Sequence, residues 1–124
     1  MGQTGSLSEW GSWREAWTSS LMALETRRCF DRLRYEQELD DETCAGLNHR
    51  LDLVEAAVYI VELTRTVLER AALPMGRPVK TLDSIHLASA LMVREREGKG
   101  LVFATHDQQQ ARVAGALGFA CIGT

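Results

Sequence analysis

No apolar run in this chain approaches the roughly 20 residues needed to span a bilayer. The opening segment, Met1-Gly2-Gln3-Thr4-Gly5, has neither a basic cluster nor an apolar stretch, so it does not read as a signal peptide. A soluble cytoplasmic protein with no membrane partner is the expectation. Cysteine is scarce: Cys29, Cys44 and Cys121 are far apart and odd in number. That argues against a disulfide framework and against a structural zinc site, and it reads as buried reduced thiols. Positive charge is not in excess either. Fourteen Lys and Arg face seventeen Asp and Glu, for a net charge of −3. This is not the footprint of a general nucleic-acid binder, and no basic recognition helix is visible. Gly-x-Gly-x-x-Gly and Walker-type loops are missing, which disfavours the nucleotide binding they support. Ser20 and Ser84 have no His and Asp partners in a recognisable order, so a hydrolase triad is unsupported. There is no internal repeat, low-complexity tract or linker.

What is present is an ordinary globular composition, 45% apolar and 25% charged over 124 residues. A single domain spanning residues 1–124 is expected, with residues 1–6 frayed. Ser6 can cap a short helix through about Arg14, with Leu7, Trp10 and Trp13 recurring at spacing three. A short strand at Ala16-Trp17-Thr18 comes next. Ser19 or Ser20 can then cap a helix from Leu21 to about Tyr35. The acidic stretch Glu36 to Glu42 reads as a solvated connection whose aspartates cap a helix from Glu42 to about Glu55. Ala57-Val58-Tyr59-Ile60-Val61 reads as a buried strand. Thr64 caps a helix through Leu73, ended by Pro74 and Gly76. Thr81 caps the most apolar helix, Leu82 to about Glu97, closed by Gly98. Leu101–Thr105 is the clearest strand, Gln108–Leu117 the last helix with Gly118 as its stop, and Phe119–Ile122 a final strand. Alternating strands and helices predict an α/β layer fold with a parallel sheet flanked by helices.

Three carboxylates stand out by position. Asp83 lies in the first turn of its helix, where the helix dipole favours the ionised form. Its neighbours Leu82, Ile85 and Leu87 are apolar, and an acidic group facing an interior needs a partner such as a divalent cation. Asp107 follows the strand Leu101–Thr105, at the carboxyl end where open parallel sheets bind ligands. Taken alone, it reads first as the N-cap of the helix starting at Gln108. Glu25 lies one turn into its helix; it is either a third acidic ligand or a surface glutamate beside Arg28 at i+3. Three carboxylates without a His or Cys set favour Mg²⁺ or Mn²⁺ over Zn²⁺. Arg28 and Arg32 share the helix face of Glu25 and suit a phosphodiester, because Arg matches phosphate oxygens bidentately. The competing reading is a helix held by ion pairs to the nearby acidic stretch. His86 reads as a hydrogen-bonded core histidine, and His106 as pointing away from the acidic site.

The run Thr81-Leu82-Asp83-Ser84-Ile85-His86-Leu87-Ala88-Ser89-Ala90 resembles the "LDAIHLATA" segment of PIN domains. Leu101-Val102-Phe103-Ala104-Thr105-His106-Asp107 resembles the late strand of that family, ending in "TxD". Ser19-Ser20-Leu21 with Glu25 and Arg28 resembles its "SS-L…E-x-x-R" segment, and Ala111, Ala114 and Leu117-Gly118-Phe119 its last helix and strand. The match covers about residues 7–124. The resemblance implies a PIN-like three-layer α/β fold and a Mg²⁺- or Mn²⁺-dependent endoribonuclease of the VapC-like toxin kind. Glu25, Asp83 and Asp107 would be its second, third and fourth acidic residues, and Thr105 a hydroxyl supporting the last of them. One or two metal ions would activate a water and stabilise the leaving oxygen. RNA is the implied substrate, contacted by Arg28 and Arg32; a small antitoxin protein and a second copy of the chain are the implied partners.

The sequence departs from the family at one point. PIN domains begin with a strand that ends in an aspartate and lies in the middle of the sheet. Before residue 16 the only acidic residues here are Glu9 and Glu15, and neither follows an apolar run. The expected fold is therefore N-terminally shortened. Three accounts stand open: a start internal to a longer gene product, a gap filled by another chain on dimerisation, or a sheet closed around the loss. The alternative function is a catalytically inactive PIN-like module that binds antitoxin, RNA or another PIN subunit.

Overall fold

The computed structural model describes residues 14–98 and 100–124. The helix expected between Ser6 and Arg14 lies outside the described residues, apart from Arg14 itself. The described chain is mixed α/β and falls into two compact units, one of them Glu15–Leu63.

The unit Glu15–Leu63 holds β1 (Trp17–Ser19), α1 (Leu21–Tyr35), α2 (Asp41–Ala57) and β2 (Tyr59–Val61). β1 and β2 run parallel, with Trp17 opposite Tyr59 and Ser19 opposite Val61. Parallel strands need a long crossover, here the α1–α2 hairpin. The Trp17 and Tyr59 rings stack with centroids 4.6 Å apart, the kind of cross-strand pair that fixes register. At the start of α1, the Ser19 hydroxyl rather than Ser20 accepts a backbone bond, from Leu21 N at 3.1 Å. α1 ends in a turn in which Gln37 takes a positive φ of 62°. α2 starts where the acidic stretch predicts, because Asp40 Oδ1 accepts from Thr43 N at 2.6 Å. The hairpin is clamped by Arg27, whose guanidinium reaches Asn48 Oδ1 at 2.9 Å, Asp52 Oδ1 at 2.8 Å and Glu55 Oε1 at 2.8 Å.

β2 departs from expectation. It begins at Tyr59, since Ala57, a strong helix former, stays in α2. It is not buried either: Tyr59 is 52% and Ile60 37% exposed. Both residues keep β-propensity, but a two-stranded sheet has an outer edge and faces with little to cover them.

The second unit contains α3 (Arg65–Ala71), α4 (Thr81–Glu97), β3 (Val102–Ala104), α5 (Gln108–Ala116) and β4 (Ala120–Ile122). Thr64 caps α3 by accepting from Val67 N at 3.2 Å. Thr81 is not the cap of α4 but its first residue. Lys80, extended after Pro78 and Val79, takes the cap position without a side-chain bond. α4 is the main core element, burying Ser84, Ile85, Leu87, Ala88, Ser89, Leu91 and Val93. α3 packs on it through buried Val67 and is tied to it by a two-pronged Arg70–Glu95 ion pair. Gly98 ends α4 at φ 87°, a conformation that L side chains avoid. β3 and β4 are parallel, with Phe103 opposite Cys121, and α5 is their crossover. The described strands thus form two parallel pairs, where one parallel sheet was expected. Of the thiols, Cys44 is buried as expected, but Cys29 and Cys121 are only half-buried. No helix among the described residues is long and apolar enough to cross a membrane.

Candidate functional site

Asp83 is the third residue of α4 and half-buried, in the first turn where the helix dipole favours a carboxylate. Its neighbours divide: Leu82 is 47% exposed, while Ser84 and Ile85 are buried. Asp107 sits where β3 gives way to α5. Thr105 N donates to Ile122 O at 3.0 Å, prolonging the β3–β4 pairing to the edge of the turn. Asp107 Oδ1 then accepts from Gln109 N at 2.8 Å and from Gln110 N at 3.2 Å. The capping reading of Asp107 therefore holds. A carboxylate offers about four lone-pair positions, so capping leaves acceptor capacity for a second role.

Gln110 connects the two aspartates. It is buried, in the first turn of α5. Thr105 Oγ1 donates to Gln110 Oε1 at 2.7 Å, and Gln110 Nε2 donates to Asp83 Oδ1 at 3.4 Å. Thr105 Oγ1 in turn accepts from Asp107 N at 3.0 Å. The chemistry of the groups sets the directions. An ionised carboxylate only accepts, so the amide nitrogen faces Asp83 and the amide oxygen takes the hydroxyl proton of Thr105. The result is a directed chain of hydrogen bonds from the β3–α5 turn to the first turn of α4.

The structure thus brings Asp83, Thr105 and Asp107 together through Gln110. Glu25 is half-buried on α1, in the other unit. Among the described residues, no group of three or more His, Cys, Asp or Glu side chains is arranged to hold a metal ion. Mg²⁺ does not require such a group, because it keeps several waters and takes one or two carboxylates. Asp83 and Asp107 are donors of that type, held on one hydrogen-bonded frame, and to that extent they fit a largely hydrated hard cation.

Arg28 and Arg32 are exposed on α1. Arg28 Nη2 pairs with Asp31 Oδ2 at 2.8 Å, and Asp31 also receives Arg34 at 2.8 Å. The Arg34 guanidinium beside it holds the Asp31 carboxyl below its ordinary range. Arg34 also approaches Asp41 at 3.5 Å, so part of the ion-pair reading of this helix is present. Arg32 touches only the Cys29 sulfur at 3.6 Å among the bonds described, a weak contact that leaves its guanidinium available. His86 is half-buried on α4. His106 Nδ1 lies 2.8 Å from Gly123 O and donates to it, which turns the ring to the C-terminal segment. Burial pushes the Cys121 thiol up, which favours its protonated form.

Gln110 is the functional candidate that the sequence reading missed. The signal was there: Gln110, Val113 and Ala114 lie at i, i+3 and i+4, one face of α5, and all three are buried. Compared with protein-family models, with curated proteins and with solved structures, the chain matches none of them.

Proposed function

We propose that this chain is a PIN-like domain of the toxin ribonuclease kind, a Mg²⁺- or Mn²⁺-dependent endoribonuclease. Asp83 and Asp107 would hold the cation, with Thr105 supporting Asp107. The observation that carries this reading is the Asp83–Gln110–Thr105–Asp107 chain of hydrogen bonds. It joins the segments that carry Asp83 and Asp107, through a contact between residues 27 positions apart in sequence. Exposed Arg28 and Arg32 would take phosphate oxygens of the RNA. A small antitoxin and a second copy of the chain are the partners this reading carries with it. A bound divalent cation supplies charge stabilisation at phosphate and a water of lowered pKa.

The test is cleavage of a mixed RNA substrate by the purified chain with Mn²⁺ and with EDTA. Cleavage that EDTA abolishes, and that Asp83→Asn also abolishes, is the expected result. Cleavage unaffected by Asp83→Asn would sink the assignment of Asp83.

A second reading has its own observation. The Asp107 carboxylate is already engaged as the cap of α5, accepting from Gln109 N and Gln110 N. This favours a PIN-like module that binds antitoxin, RNA or another PIN subunit without cutting. Absence of cleavage by a demonstrably folded chain would decide for it.

A further inference from the structure

Helix α5 begins with three glutamines, and they differ in surroundings. Gln108 and Gln109 are exposed, whereas Gln110 is 9% exposed and shares its buried face with Val113 and Ala114. A carboxamide in such a position is costly unless both of its ends are bonded. Both are: the oxygen takes the Thr105 hydroxyl and the nitrogen faces Asp83.

We propose that Gln110 is a positioning residue, which fixes the Asp83 carboxylate for a hard divalent cation through its bonds to Thr105 and Asp83. This rests on the reading above that Asp83 is a cation ligand. Asp83 stands in the first turn of α4. The amide ties it to the β3–α5 turn that carries Asp107. The amide cannot rotate freely, because Thr105 holds its oxygen, and Thr105 is itself held by the Asp107 backbone N–H. A neutral donor suits this place. A lysine or arginine would compete with the cation, and a glutamate would face Asp83 with like charge. Groups that orient metal ligands in this way change metal affinity by roughly ten- to a hundredfold when replaced.

The experiment is calorimetric titration of the full chain with Mn²⁺ for the wild type, Gln110→Met, Thr105→Val and Thr105→Ser, each checked for folding by circular dichroism. Gln110→Met keeps the side-chain length without the hydrogen bonds. It is expected to weaken Mn²⁺ binding roughly tenfold or more. Thr105→Val keeps shape and loses the hydroxyl, and should weaken binding similarly. Thr105→Ser loses a methyl but keeps the hydroxyl, and should stay near the wild type. A packing role gives the opposite order for the two Thr105 variants, and that order would overturn the proposal. It also decides the matter if Gln110→Met does not fold. Wild-type binding that Gln110→Met leaves within about twofold overturns the positioning role and leaves the cation reading standing. A folded wild type that takes up no Mn²⁺ overturns both.

Discussion

Asp107 Oδ1 accepts the backbone N–H of Gln109 at 2.8 Å, so the carboxylate that the sequence offers as a metal ligand is also the cap of α5. The two roles can be separated, because asparagine caps a helix about as well as aspartate but lacks the charge a hard cation needs. Asp107→Ala should cost about 1 kcal/mol in urea unfolding, and Asp107→Asn only a few tenths. Both should lose Mn²⁺-dependent RNA cleavage. Cleavage retained by Asp107→Asn would mean that Asp107 is a cap and nothing more.

A second prediction concerns acid. The Arg70 guanidinium holds the Glu95 carboxyl below its ordinary value of 4.5, and Thr43 holds Asp40 below 3.8. Depressed carboxyl values give stability that is fully present above the unfolded values and lost as pH falls through the folded ones. The urea midpoint should therefore be flat on acidification down to about pH 4.5 and decline below it. Glu95→Gln should remove the part of the decline that begins nearest 4.5. A midpoint that rises on acidification in that window would contradict these assignments.

Arg94 supplies a third. Its guanidinium lies 4.3 Å from the centroid of the Phe119 ring, and its Nη1 donates to Leu117 O at 2.8 Å. It thereby joins α4 to the turn between α5 and β4. A cation over a ring and a charged hydrogen bond together make Arg94→Ala cost about 2 kcal/mol. Arg94→Lys keeps the charge but not the planar group, and should recover less than half of that loss. Urea midpoints of both variants check this; a fully stable Arg94→Lys would show that charge alone matters.

The legible parts of this fold are those governed by local chemistry. Asp40, Thr64, Gly98 and Gly118 mark helix ends because caps and left-handed turns depend on a few adjacent residues. Where neighbours elsewhere in the chain decide, the sequence misleads. Tyr59 and Ile60 have the composition of a buried strand, but exposure depends on what covers a sheet, which their own segment does not encode. Asp83 and Asp107 are visible as candidates because each opens a helix. Gln110 is hidden in a run of three identical polar residues, and only the spacing to Val113 and Ala114 separates it from the two exposed ones. That Asp83 and Asp107 share one hydrogen-bonded frame depends on this residue, so the link between the two motifs could not be read from either of them.

The last prediction tests the RNA face of α1, where the four arginines are not equivalent. Arg27 is spent on Asn48, Asp52 and Glu55, so its removal would damage the α1–α2 hairpin and say nothing about RNA. Arg34 is engaged with Asp31 and Asp41. Arg28 is different: its side chain is 67% exposed, and its surface pair with Asp31 contributes little to stability. Arg32 is exposed as well. Arg28→Ala combined with Arg32→Ala should leave the urea midpoint nearly unchanged. Binding of a labelled single-stranded RNA in EDTA, followed by anisotropy across a salt series, should weaken. The slope of log affinity against log salt should become shallower by about 1.4, since each phosphate contact on a single strand contributes about 0.7. EDTA removes cleavage from the measurement, so the result holds for a cutting and a non-cutting domain alike. An unchanged slope would mean that these arginines do not meet phosphate, and the RNA face would have to be sought elsewhere on the chain.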